Sequence, residues 1–241
     1  MAAEELGSVG KAPAGDILVN KKAYVVIMVQ PAPGAPDGFE ERYNAYWDAV
    51  DTQVSQLEAK AGTVSRIFAE GVIGRGDDAT LMVQQTNPGA HRVVRQRLSA
   101  GAVFEDLEET DLFGQVLDWG RCLQMGLISQ TVVSEIQQKY TEVAEKRTQH
   151  MQQRLTDGIQ DTEAALILTG DPNLTLPEGV EKFIVSPPEL DELERWVQQA
   201  NEAIRQQMAE EQARAQQGGA APGGESAGGG SNTDSGLWTP G

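Results

Sequence analysis

The chain has 241 residues, and 19 Lys+Arg against 36 Asp+Glu give it a formal charge of −17, a field that repels nucleic acid and anionic membranes. No run approaches the ~18 apolar residues of a membrane span, and the single cysteine, Cys122, excludes an intrachain disulfide. The start MAAEELGSVGK lacks the basic and apolar regions of a signal peptide, so the expected location is the cytoplasm of a bacterium or archaeon.

Residues 1–22 read as a flexible arm, 23–217 as a single α/β domain, and 218–241 as a Gly/Ala/Ser-rich linker with a terminal motif. Tyr24-Val25-Val26-Ile27-Met28-Val29 is a β-rich run ended by Pro31-Ala32-Pro33-Gly34. Asp37 stands at capping-box spacing before Glu40. Phe39, Tyr43, Trp47, Val50, Val54 and Leu57 then recur at three or four residues until Gly62, predicting a helix of about six turns with one face on a sheet. Val64 to Ala69 is the next strand, with a parallel right-handed crossover as the default connection.

Gly71 to Asp78 reads as a polar loop, and Asn87-Pro88 as an N-cap followed by proline in the first helical position, opening a short helix to Ser99. Ala102-Val103-Phe104 is a brief third strand. Helices over roughly 108–125 and 129–158 follow, separated around Gly126 and carrying Leu112, Val116, Trp119 and Leu123, then Val132, Ile136, Tyr140, Val143 and Met151, at helical spacing. Strands at 164–169 and 180–185 precede Ser186-Pro187-Pro188-Glu189, a helix start whose long C-terminal helix places Leu190, Leu193, Val197, Ala200 and Ile204 on a short heptad-like seam. The fold class is therefore α/β: a mostly parallel central sheet flanked by helices, with a long C-terminal helix and a disordered tail.

Two strands stop on an acid beside glycine, Glu70-Gly71 and Gly170-Asp171, where open α/β sheets place their ligands. Glu70 is a site candidate, with a solvent-facing acid as its alternative. Asp171, before Pro172 and Asn173, reads better as a turn residue. Five carboxylates lie between Glu105 and Asp111, but their spacing is not that of a calcium loop and acids in a first helical turn suit the macrodipole. Glu105 and Asp106, nearest the strand end, are retained as site candidates. His91, Arg92, Arg95 and Arg97 form a basic island near a helix start; pairing with the chain's own acids is favoured over anion binding. His150 has no second histidine nearby, so no zinc site is expected.

Arg66-Ile67-Phe68-Ala69-Glu70-Gly71, Gly101-Ala102 leading into Glu105-Asp106, and Glu145-Lys146-Arg147 with Met151 before the strand ending Thr169-Gly170 together carry a resemblance. Over about residues 23–197 the chain resembles bacterial proteins related in layout to the TraB, ChaN and erythromycin esterase-like group. In that group an early strand often ends near a histidine, and a late strand leads to a Gly-x-x-His-like turn. Here those places read Val29-Gln30-Pro31 and Gly170-Asp171-Pro172-Asn173, so the resemblance implies a pocket without its histidines. What it retains is Glu70, Glu105, Asp106 and Arg147. A buried Arg147 paired with Glu70 would hold the strand end without doing chemistry.

The closing segment Ser235-Gly236-Leu237-Trp238-Thr239-Pro240-Gly241 puts an aromatic anchor on a linker, the form of a short linear motif that docks a protein partner through Leu237, Trp238 and Pro240. The favoured expectation is a protein acting mainly through partners, with a degenerate enzyme-like pocket and no cofactor. The alternative is a hydrolase-like enzyme in which Glu70, with Glu105 or Asp106, serves as general base or metal ligand and Arg147 binds an anionic substrate. An oligomer held by the helix from Pro187 to about Ala215 is a third reading.

Overall fold

The structure is a computed structural model that describes residues 20–218, with side chains as far as residue 214. The terminal motif with Leu237, Trp238 and Pro240, and most of the N-terminal arm, lie outside the described residues. The elements run β1 (Lys21–Ile27), α1 (Phe39–Ala61), β2 (Val64–Ala69), α2 (Gly76–Thr86), α3 (Pro88–Ser99), β3 (Val103–Phe104), α4 (Thr110–Gln124), α5 (Gln130–Gly158), β4 (Ala164–Thr169), β5 (Val180–Val185) and α6 (Pro188–Gly218). The strands form one sheet in the order β3-β2-β4-β1-β5, with every neighbouring pair parallel.

Strand side chains alternate between two cores, as a pleated sheet covered on both faces requires. Tyr24, Val26, Ile67, Ala69, Leu166 and Leu168 point to the face packed by α1, α2, α3 and α6. Ala23, Val25, Phe68, Ala165 and Ile167 point to the opposite face, where α5 supplies Met151 and Leu155. β4, the run Ala-Ala-Leu-Ile-Leu-Thr, is buried at all six residues because it is the central strand. It inserts between β1 and β2, with Leu166 in register with Tyr24 on one side and Ile67 on the other. The β1–α1–β2 crossover therefore joins parallel strands that are not neighbours.

Three local expectations shift. The first strand starts at Lys21, two residues inside the expected arm, where the buried Lys22 donates its Nζ to the Asn20 carbonyl at 2.8 Å. The Asp37/Glu40 capping box does not form. Gly38 is the cap residue, in a left-handed conformation with φ 94°, and α1 starts one residue too late for Asp37 to cap it. The stretch taken as loop up to Asp78 already contains the start of α2, whose Asp77 and Asp78 favour the positive end of the helix and whose Ala79 and Val83 reach the core.

The cap expected at Asn87 is present and extends beyond its own helix. Its Oδ1 accepts from the Ala90 N–H at 3.0 Å and from the Tyr43 hydroxyl at 2.6 Å, while Nδ2 donates to the Val29 carbonyl at 2.9 Å. One buried amide thus joins the exit of β1, the first turns of α1 and the start of α3. Gly89 lets that start lie against Trp47, since a Cβ there would overlap the indole ring. Gly89→Ala is expected to lower stability by about 1–3 kcal/mol through overpacking, read as a reduced urea midpoint with an unchanged slope.

Candidate functional site

β2 and β4 are neighbours that leave the sheet toward opposite faces. β2 leads to α2 on the first core, whereas the segment after β4 sends Leu174 and Leu176 into the second. Such a divergence opens a crevice at the carboxyl ends of strands. Glu70 closes this one. Its backbone N–H continues the ladder to the Leu168 carbonyl at 2.8 Å, and Gly71 then turns the chain with φ +75°, a conformation that favours glycine.

The Glu70 carboxylate is held from both sides. Oε2 accepts from the Thr169 hydroxyl at 2.7 Å and the Gly170 N–H at 3.0 Å; Oε1 accepts from Arg147 Nη2 at 3.0 Å. Arg147, on the sheet-facing side of α5, also engages Glu108 twice: Nε donates to Oε2 at 2.8 Å and Nη2 to Oε1. Glu108 has no exposed side-chain surface, and its Oε1 accepts the Gly71 N–H at 2.8 Å. The guanidinium lies over the Phe113 ring, 5.4 Å from its centroid. The result is a carboxylate–guanidinium–carboxylate knot tied to two strand ends.

Of the four sequence-derived candidates, the structure unites Glu70 and Arg147 and sends the other two elsewhere. Glu105 pairs with Arg66, which also reaches Glu163 at 3.3 Å. Asp106 receives Arg154 through its carboxylate and its backbone carbonyl, the latter at 3.1 Å. No hydrogen bond or ion pair among the described residues joins Glu105 or Asp106 to Glu70. The carboxylate that does share Arg147 is Glu108, which sequence reasoning left within the acidic cluster. Its only sequence signal was the neighbouring Leu107, itself fully buried.

Asp171 takes the turn role expected of it. Its Oδ1 accepts the Asn173 N–H at 2.8 Å, and its own N–H donates to the Thr169 hydroxyl. Two members of the basic island pair with acids of α1: Arg92 with Asp48 at 2.9 Å, and the buried Arg97 with Asp51 and Glu58. At the α3 N-terminus the N–H groups of Gly89, Ala90 and His91 donate to the Tyr43 hydroxyl, Asn87 Oδ1 and the Asn87 carbonyl. Those donors are taken within the fold rather than offered to an anion. Among the described residues no group of three or more His, Cys, Asp or Glu is arranged to hold a metal ion. No helix there is long and apolar enough to cross a membrane.

The cavity beside the knot is a cleft of about 300 Å³ at the end of β1, lined by Ile27, Met28, Val29, Gly170 and the α6 residues Leu190 and Leu193 among others. Glu70 is not part of its wall. Burial alone would push the Glu70 carboxyl up, but the Thr169 hydroxyl, the Arg147 charge and the Gly170 N–H outweigh it and hold the group below its ordinary value of 4.5. Glu70 therefore stays ionised at neutral pH with each oxygen engaged by a donor.

Two consequences can be measured. Arg147→Ala leaves the Glu108 charge buried without its partner, and the expected loss is about 3–5 kcal/mol; Glu70→Gln loses the ion pair but keeps the cavity filled, for about 1–3 kcal/mol. Denaturant titrations of both variants test the order. Because the folded pKa of Glu70 lies below its unfolded value, its stabilisation is complete above pH 4.5 and is lost as pH falls through the folded value. Glu70→Gln should therefore show a shallower loss of stability than the unchanged protein in acid-unfolding curves below about pH 4.5.

Comparison with models of known protein families, with curated proteins and with solved structures yields no match, so the meaning of this site rests on its own geometry.

Proposed function

We propose that the chain acts through protein partners, with the α/β domain as a rigid body, the Glu70–Arg147–Glu108 knot as the closed remnant of an enzyme-like pocket, and Leu237, Trp238 and Pro240 as a docking motif. The observation that carries this reading is that the two carboxylates of the knot are held by donors of the fold itself. Every carboxylate oxygen of Glu70 and Glu108 already accepts at least one hydrogen bond from within the fold. A general base needs an oxygen facing its substrate, whereas both oxygens of Glu70 are turned to donors within the fold. The distant resemblance to the TraB/ChaN/erythromycin esterase-like group fits the same reading, as a pocket that kept its acid and arginine while losing its histidines.

The negative charge supports a protein partner over nucleic acid, and a cytoplasmic setting belongs to this proposal. Trp238 supplies the anchor: a single tryptophan filling a pocket often carries a large share of binding energy. The full chain, Trp238→Ala and Glu70→Gln used as baits in lysate should separate the two roles. Trp238→Ala is expected to reduce recovery of a specific partner at least about tenfold, about 1.4 kcal/mol, while Glu70→Gln retains it. Equal recovery by the full chain and Trp238→Ala, or ester, amide or phosphoester turnover abolished by Glu70→Gln, overturns the proposal.

A further inference from the structure

The loop from β1 to α1 is built as a fixed wall. Pro33 and Gly34 are the centre of a turn closed by the Ala35 N–H on the Ala32 carbonyl at 3.0 Å, with Gly34 at φ +80°, and the Phe39 N–H donates back to the Pro36 carbonyl at 3.2 Å. Between this loop and the first turns of α1 lies a cleft of about 460 Å³, larger than the one at the end of β1 and lined by Pro31, Pro33, Pro36, Phe39, Tyr43 and Pro88 among others. Proline rings have little freedom to lose, so such a wall is preformed for whatever fills it. A row of rings leads from it to α6: Tyr43 stacks on Phe39 at 5.9 Å, and Phe39 lies 6.3 Å from the half-buried Trp196.

The chemistry of the cleft selects its occupant. Proline and aromatic rings offer flat apolar faces, while Asp37, Glu40 and Asn44 on the same wall offer oxygen acceptors. Tryptophan matches both, since its indole buries an apolar body and needs an acceptor for one N–H, and a proline close to it packs on an aromatic face. Outside the described residues, in 1–19 and 219–241, Trp238 is the only aromatic residue, with Pro240 two positions on. Chain length supports the same assignment. Trp196, whose Cζ2 would lie 3.8 Å from a Cβ on the wall's Gly38, stands 22 residues before Gly218, about 33 Å along α6. Twenty residues lead on from Gly218 to Trp238, seven of those between them glycine. A segment of that length and composition has an r.m.s. span of about 25 Å and a limit of about 70 Å. The 33 Å return therefore lies within easy reach, and linkage presents Trp238 to the cleft at an effective concentration approaching the millimolar range.

We propose that Leu237, Trp238 and Pro240 seat in this cleft of their own chain, with Trp238 against the prolines and Trp196, so that the terminal motif is held in cis. An outside partner of the kind proposed above competes with this seat. Only that competition rests on the partner reading; the cis contact needs no second molecule.

The full chain labelled with 5-fluorotryptophan gives a fluorine NMR resonance for each of its four tryptophans, and Trp238→Phe identifies that of Trp238. The neutral spin label TEMPOL, free in solution, should broaden this resonance about fivefold less than that of a peptide of residues 235–241, the protection given by about 80% occupancy of the seat. Trp196→Ala and, separately, Pro33→Asp at an exposed loop position should each return the broadening to within about twofold of the peptide. Leu81→Glu, at an exposed leucine of α2 outside the cleft, should leave the protection intact. Dilution should also leave it unchanged, since a cis contact is independent of concentration. A Trp238 as open as the peptide overturns the proposal, as does protection that survives both cleft substitutions. Protection that grows with concentration overturns it in favour of a tail seated on a second copy. Lysate recovery by Trp238→Ala reads the partner separately, so either result can fail while the other stands.

Discussion

One guanidinium holds the carboxyl edge of the sheet together. Arg147 reaches Glu70, 77 residues away, and Glu108, 39 residues away, and through them touches the ends of β2 and β4, the turn at Gly71 and the segment leading into α4. The net stabilisation of such a buried trio is small, because desolvating three charges offsets most of their attraction. Its effect is on geometry: without Arg147, two carboxylates would face each other at a strand end. α5 is thereby seated on the sheet with Arg147 at the strand ends, Met151 and Leu155 in the core and Arg154 on Asp106.

The same device recurs on the other face. Arg97 donates to Asp51, to the Ser55 hydroxyl and to Glu58, fastening α3 to α1 as Arg147 fastens α5 to β2. Arg66 of β2 bridges Glu105, after β3, and Glu163, before β4. In a strongly acidic chain Arg66, Arg97, Arg147 and Arg154 act as internal cross-links, and within the basic island of α3 it is Arg97 that turns inward to the carboxylates of α1. Net charge thus says little about the binding properties of these four arginines, because the fold consumes them.

The sheet was legible because its strands are short, apolar and bounded. β2, β4 and β5 match their expected limits, and the all-apolar run of β4 correctly signalled burial on both faces. The long helices were legible from spacing. α2 was not, since its glycine and aspartates serve a loop as readily as a first helical turn. Strand order was also hidden: nothing local in Ala164–Thr169 says that it will part β1 from β2. Within the site, Glu70 and Arg147 could be singled out from position and resemblance, but Glu108 could not be told from Glu105 and Asp106. Which of three nearby acids meets Arg147 depends on how the chain leaves β3, a three-dimensional fact with no periodicity to announce it. That α4 and the first half of α5 bury no side chain was not legible for a related reason: helical spacing shows that a stripe is apolar, but not whether anything lies opposite it.

α5 is one unbroken helix of 29 residues, about 43 Å long, fixed to the sheet only over its second half. Arg147, Met151, Arg154 and Leu155 fix that half to the sheet, while the half from Gln130 to Glu142 extends past the last buried contact. The first half of the helix thus projects some 25 Å from Arg147, so whatever α4 and this half of α5 touch lies well away from the carboxylate knot and from the ends of β2 and β4.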